Sequence, residues 1–208
     1  MAKQEQEQQP PVLRLASASP RRRQLLDLIG VPHVVLAADI DETPREAEPA
    51  DAYVVRLAQE KAAATWAIAR DLPVLAADTT VVVDAEILGK PDSEAQAHEM
   101  LGKLSGREHV VHTGVALICK GIPQVVLSST RVTFGALSRE QVHAYWASGE
   151  PQGKAGAYAI QGLGAMFVAS IAGSYTGVMG LPLFETAQLL RSVGIPVWNG
   201  ALKIEGAE

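Results

Sequence analysis

The sequence predicts an α/β protein built on a mixed sheet, and three stretches carry that prediction. An apolar run (Leu13, Leu15 and Ala16) passes through Ser17 and Ser19 into an amphipathic segment opening at Pro20, so a strand feeds a tight turn and a helix. Val74–Ala77 and Val81–Val83 are apolar and β-branched, the pattern of a buried strand or a pair of strands. Glu108–Cys119 and Gln124–Phe134 flank a turn at Lys120 to Pro123 and read as an antiparallel hairpin.

The elements follow in order. Ser19 is suited to cap the first helix and Pro20 to its first position, where a missing N–H costs nothing; Gly30 and Pro32 end it. Arg21, Arg22 and Arg23 do not suit that end, because the helix dipole places partial positive charge there. An anion relieves the conflict: free backbone N–H groups, serine hydroxyls and guanidinium forks at a helix start describe a phosphate site. Successive helical residues lie about 100° apart, so three arginines cannot share one ligand, and Arg23 is expected to point away. The competing reading of the run is a solvated helix face.

His33–Ala37 is a short strand. Asp39–Asp51 follows with six carboxylates and no apolar period, either a solvated linker or a loop that delivers Asp41 or Glu42 as a metal ligand. Asp51–Arg70 is a helix in which Glu60 and Lys61 are either a surface pair or part of a site. Asp78, with Thr79 and Thr80, interrupts the buried strand. A carboxylate there costs several kcal/mol unless paired or metal-bound, which makes Asp78 the leading catalytic candidate. Asp84–Ile87 is a turn, and Lys90 sits on a loop constrained by Gly89 and Pro91.

Ser93–Leu104 and Ser138–Ser148 are helices, each opened by a Ser-x-x-Gln capping box. His109 and His112 fall on opposite faces of a strand, which argues against a metal pair. Gly153–Gly164 is glycine-dense, as close backbone approach requires, and offers Lys154, Tyr158 and Gln161 as its polar side chains. Ala165–Ile171 reads as a strand, Gly173–Gly180 as a loop and Leu181–Val193 as the last helix.

Composition narrows the classes. With 208 residues, 48% of them hydrophobic, the chain can bury a proper core, and no repeat or linker divides it. The polar, Gln/Glu-rich residues 1–11 are expected to be a disordered leader rather than a signal peptide, with 12–200 as a single domain and 201–208 as a tail. No run approaches the roughly 18 apolar residues of a membrane span. The lone Cys119 excludes an internal disulfide framework and points to a reducing, cytoplasmic setting. A net charge of -5 disfavours nucleic acid as partner. GxxxxGK[ST], GxGxxG and HExxH are absent, and neither Ser17 nor Ser19 lies in a nucleophile elbow. An anion-binding helix start, lysines on glycine loops and acids at strand ends suit metal-assisted phosphoryl chemistry.

Seven ordered motifs, SASPRR with QLL, DIDE, EKA, ADTTVV with GKP, HTGV, KAGAYAIQG and GSYTGVMGLPL, resemble the Maf family of nucleotide pyrophosphatases from about Leu13 to about Leu190. The resemblance implies an elongated α/β fold related to the inosine triphosphate pyrophosphatases. In that fold a twisted sheet with flanking helices forms two lobes around a deep cleft, usually in a homodimer. It implies metal-dependent hydrolysis of a nucleoside triphosphate to the monophosphate and pyrophosphate, with magnesium, or else manganese or cobalt, as cofactor. It places Ser17, Arg21, Arg22, Lys90 and Lys154 on the phosphates, Asp78 as proton acceptor, and Asp78 with Glu42 at the metal. Arg21, Thr79 and Gln161 fall on positions that separate subgroups, and this set resembles the branch acting on dTTP and UTP rather than 7-methyl-GTP. A glutamine amide offers an acceptor and donors that complement the N3–H and carbonyl edge of uracil or thymine. Ala18 departs from a glycine that some members carry. The alternatives are the same chemistry on modified purines, and a regulatory or nucleic-acid-binding role that the family's association with septum formation suggests.

Overall fold

The computed structural model describes residues 10–198; apart from Pro10 and Pro11 the expected leader, and the whole of the expected tail, lie outside the described residues. The chain runs β1 (Leu13–Leu15), α1 (Pro20–Leu28), β2 (His33–Val35), α2 (Ala50–Ile68), β3 (Val74–Val83), β4 (Glu86–Leu88), α3 (Glu94–Leu104), β5 (Glu108–Cys119), β6 (Ile122–Phe134), α4 (Arg139–Ala147), β7 (Val168–Ala172), α5 (Tyr175–Met179) and α6 (Leu183–Ser192). The seven strands form one mixed sheet in the order β2-β1-β3-β5-β6-β7, with β4 beside β3. β1 pairs in parallel with both β2 and β3, whereas β3, β5, β6 and β7 are antiparallel to one another in turn. The fold is therefore the mixed α/β class that the sequence predicts.

β3 is one continuous ten-residue strand, because Asp78, Thr79 and Thr80 keep their ladder opposite Gly114, Thr113 and His112 of β5. Alternation along β3 sorts the core. Val74 and Ala76 pack with Ala58 and Ala62 under α2. Leu75 and Ala77 face the other way, onto Leu13, Leu15, Leu181 and Leu190. Beyond Thr80, Val81 and Val83 join a third cluster with Leu101, Leu104, Phe134 and Tyr145. The long strands thus run between two packed ends, and the polar stretch Asp78–Thr80 lies where one gives way to the other. Gly114 lets α2 close on β5: a Cβ there would stand 2.5 Å from the Val54 carbonyl oxygen.

Several local expectations change. Ser19 makes no side-chain cap on α1; instead Ser17 Oγ accepts from the Ser19 N–H at 3.2 Å. Ser138 forms the full capping box, but at α3 the Gln96 carbonyl accepts from Asp92 N rather than from the cap residue. The expected strand from Ala165 begins only at Val168, because the chain over Leu163–Phe167 is a 3-10 turn anchored by Glu150. Within the expected loop Gly173–Gly180, Ser174 accepts from Gly177 N and starts the short helix α5.

His109 of β5 is buried at 2% exposure among Phe134 and Tyr158, with Nε2 on the Tyr158 hydroxyl at 2.9 Å and no partner for Nδ1 among the described residues. Burial pushes its pKa from 6.5 down to about 4. Between those values the unfolded chain takes up a proton that the native one refuses. Stability is therefore full above about pH 6.5 and falls as the pH drops toward 4, by about 3 kcal/mol in all. Urea midpoints measured across that window should show the fall in the wild type and a shallower one in His109→Gln; equal slopes would remove His109 as its source.

Candidate functional site

The polar stretch of β3 opens into a cavity of about 790 Å³. Its wall takes residues from the β1–α1 turn, the acidic loop after β2, α2, β3, the Gly89–Lys90 loop and the glycine-rich segment after α4. Ser17, Arg21, Arg22, Glu42, Asp78, Thr79, Lys90, Lys154 and Gln161 all line it, so the residues that the family resemblance assigns to the site reach one space. Arg23 is exposed and off this wall, as helix spacing predicts.

Asp78 and Thr79 are adjacent on β3 and project to opposite faces. On the α2 side, Asp78 Oδ1 accepts from Lys61 Nζ at 2.7 Å, and the same ammonium pairs with Glu42 Oε1 at 2.7 Å. Lys61 and Asp78 are each 8% exposed. The lysine therefore supplies the countercharge that a carboxylate in a buried strand requires. Burial alone would raise the Glu42 carboxyl, but the Lys61 hydrogen bond and the charges of Lys61, Lys90 and Arg22 hold it below its ordinary range. Tyr53 donates to the Glu42 carbonyl at 2.8 Å and fixes the acidic loop; burial, with the charges of Asp78 and Glu42, pushes its phenol up to about 12. Of the two acids expected to compete, Glu42 faces the cavity, whereas Asp41 Oδ1 accepts from Thr43 N in a local turn.

On the other face, Arg22 is held at three points: Nε on the Gly180 carbonyl at 2.8 Å, Nη1 on Ser17 Oγ at 3.1 Å and Nη2 on Thr79 Oγ1 at 3.2 Å. Thr113 spends its hydroxyl proton on the Gly177 carbonyl at 2.8 Å, so the 2.9 Å contact between the two threonines has Thr79 as donor. Burial lowers the Arg22 pKa and also that of Arg21, whose guanidinium makes no hydrogen bond among the described residues. The Gly156 N–H donates to the Gly89 carbonyl at 3.0 Å and ties together the loops carrying Lys90 and Lys154. Among the described residues, five cationic and two anionic side chains line the cavity, an excess of positive charge in a chain whose net charge is -5.

The sequence left Glu60 and Lys61 open; the structure separates them. Lys61 is central, while Glu60 pairs with Arg56 at 3.0 Å and Arg45 at 3.1 Å, outside the cavity. Glu150 escaped notice altogether. It accepts from Tyr145 OH at 2.7 Å and from the N–H groups of Leu163 and Gly164 at 2.9 Å, and Tyr145 OH in turn accepts from Ala159 N at 3.0 Å. This clamp grips the backbone on both sides of Gln161. Gly162 lies so close to the Glu150 carboxylate that no Cβ fits between them. Only the spacing of Tyr145 and Glu150 before a glycine-dense run could have signalled it.

Two carboxylates joined through one lysine make the site's charge balance testable. Lys61→Met should lower the unfolding free energy by about 3 kcal/mol, since it strands Asp78 beside Glu42. Adding Asp78→Asn to that background should recover part of the loss. Urea unfolding of the two single variants and the double variant measures the coupling, and strictly additive effects would show that the pair does not interact.

The sequence profile of the Maf-like protein family matches residues 12–193. The dTTP/UTP pyrophosphatase of Methylobacillus flagellatus is 55% identical over 185 residues, covering 88% of this chain and 93% of the relative. The dTTP/UTP pyrophosphatase of Methylococcus capsulatus is 53% identical over 182 residues, with 87% and 90% covered. Among solved structures, the Staphylococcus aureus Ham1 protein aligns over 59% of this chain and 71% of its own at 17% identity, with a TM-score of 0.42. A family profile that spans the sheet and every element lining the cavity leaves one assignment: the chain belongs to the Maf family.

Proposed function

We propose that the protein is a nucleoside triphosphate pyrophosphatase that hydrolyses dTTP and UTP to the monophosphate and pyrophosphate. The observation that carries this reading is the concentration of Arg21, Arg22, Lys61, Lys90 and Lys154 around Asp78 and Glu42 in one cavity. The names of the relatives that match nearly the full chain supply the substrates. Arg22 is turned inward onto Ser17, Thr79 and Gly180, which counts against the arginine run as an exposed contact for nucleic acid.

In this reading Ser17, Arg21 and Arg22 at the start of α1 bind phosphate oxygens, with the α1 N–H groups and dipole behind them. Lys90 and Lys154 neutralise the rest of the triphosphate from the opposite loops. Asp78 takes a proton from the attacking water as the new P–O bond forms at the α-phosphorus; the bond to the β-phosphate oxygen breaks, and pyrophosphate leaves with that electron pair. Asp78 and Glu42 are the residues that would hold a divalent cation. They suit a hard ion, since both are carboxylates and the second oxygen of each accepts no hydrogen bond among the described residues. Magnesium, with manganese or cobalt as alternatives, would neutralise phosphate charge and polarise the phosphoryl group when bound. Lys61 then holds the Asp78 carboxylate in place through its hydrogen bond to Oδ1.

Gln161 reads the base edge from the loop that Glu150 and Tyr145 hold, while Arg21 and Thr79 bound its approach. The reading also treats residues 12–200 as one unit, the protein as a homodimer after the family resemblance, and its setting as cytoplasmic on the strength of the lone Cys119.

Pyrophosphate release from dTTP, UTP, CTP, GTP and 7-methyl-GTP in the presence of magnesium tests the activity directly. Asp78→Asn should lose about 10²–10⁴-fold in turnover while still binding UTP; turnover like the wild type would strip Asp78 of its role. Gln161→Ala should raise KM for dTTP and UTP and flatten preference across the panel. Glu150→Gln, which sets an amide donor against backbone donors, should shift base preference in the same direction with an unchanged far-UV spectrum. An unaltered preference in both variants would place base reading elsewhere.

A further inference from the structure

Outside the cavity, α3 and α4 bring three metal-ligating side chains to one point. Glu94 and His98 lie one turn apart on α3, which places them on the same helix face, and His143 comes from α4. Glu94 Oε1 stands 2.6 Å from His143 Nδ1 and 3.6 Å from His98 Nε2, and the ligand atoms of all three lie within 4.8 Å of one another. None of the three lines the cavity around Asp78. A surface ion pair accounts for Glu94 with His143. It does not account for a second imidazole turned toward the same carboxylate oxygen while Glu94 Oε2 accepts no hydrogen bond among the described residues.

We propose that Glu94, His98 and His143 form a second cation site, specific for zinc and ions of similar character. A tetrahedral zinc ion with bonds of about 2.0–2.2 Å holds neighbouring ligand atoms about 3.3 Å apart. The observed separations of 2.6 and 3.6 Å bracket that spacing, so side-chain rotation closes the site on fixed helices. Two imidazole nitrogens and one carboxylate select zinc, nickel or copper over magnesium, which requires oxygen ligands. Three protein ligands leave one position open. His98 also borders a hollow of about 480 Å³ lined by Gly102, Leu137 and Arg139, which gives that position room for water or a small anion. Because the ligands come from two helices, a bound ion staples α3 to α4, and any ion that prefers the native state raises its stability.

The test uses the full chain freed of metal with a chelator and titrated with zinc chloride at neutral pH. Calorimetry should find one tight equivalent, and the thermal midpoint should rise with zinc but not with magnesium. His98→Ala and His143→Ala should each weaken zinc binding by about tenfold or more, their folds checked by circular dichroism, whereas Asp78→Asn should bind zinc as the wild type does. Cobalt added to the wild type should give visible ligand-field bands that one equivalent of zinc removes. Absence of stoichiometric binding, undiminished binding in both histidine variants, or loss of binding in Asp78→Asn overturns the proposal. None of these readouts depends on the proposed activity.

Discussion

A carboxylate in the middle of a ten-residue buried strand constrains what surrounds it. Asp78 cannot be withdrawn from β3 without breaking the ladder to β5, and a buried carboxylate there requires a paired countercharge. Lys61 answers that need from α2, and the same ammonium draws in Glu42 from a loop with no regular structure of its own. One ion-pair triad thus couples a helix, a strand and an acidic loop. Arg56 reinforces the arrangement from outside by binding Glu48 and Glu60, which pins the same loop to α2. The helix can sit close enough to deliver Lys61 because Gly114 presents no side chain beneath Val54.

The sheet divides the site's chemistry. Because neighbouring strand residues face opposite ways, Asp78 belongs with Lys61 and Glu42, and Thr79 belongs with Arg22, Ser17 and Thr113. A ligand in the cavity meets a carboxylate pair on one side and a fixed guanidinium on the other. The division arises at Asp78–Thr80, where the apolar clusters at the two ends of the long strands both stop. Packing alone leaves that gap; the polar residues occupy it.

Sequence patterns revealed the strand–turn–helix opening, the hairpin, the serine caps of α3 and α4 and the carboxylate within the buried strand, because each is a local signal: a period, a turn residue, or one charge out of place. They did not show which charge pairs with which. Lys61 stands beside Glu60 in the sequence, and only the pitch of α2 turns one toward β3 and the other toward Arg56. Glu150 was invisible because its partners are backbone N–H groups made available by a turn thirteen residues later. The strand expected from Ala165 failed for the same reason: the carboxylate holds Leu163 and Gly164 in a tight turn against an otherwise β-favouring run. Ser19 has the right identity for a cap but makes none; instead its own N–H donates to Ser17 Oγ across the β1–α1 turn, and the first-turn N–H groups of α1 keep no side-chain partner among the described residues.

Arg22 binds two hydroxyls, and they are not equivalent. Thr79 spends its proton on Thr113, whose own proton goes to the Gly177 carbonyl, so toward the cavity Thr79 presents only oxygen lone pairs. Ser17 accepts from Arg22 and from the Ser19 N–H, which leaves its proton free. One guanidinium therefore holds a hydroxyl donor at one edge and a hydroxyl acceptor at the other. An anionic group, which can only accept, is drawn to the Ser17 edge and turned from the Thr79 edge. A hydrogen-bond relay that ends on a backbone carbonyl of α5 thereby gives the cavity a polarity that residue types alone do not encode.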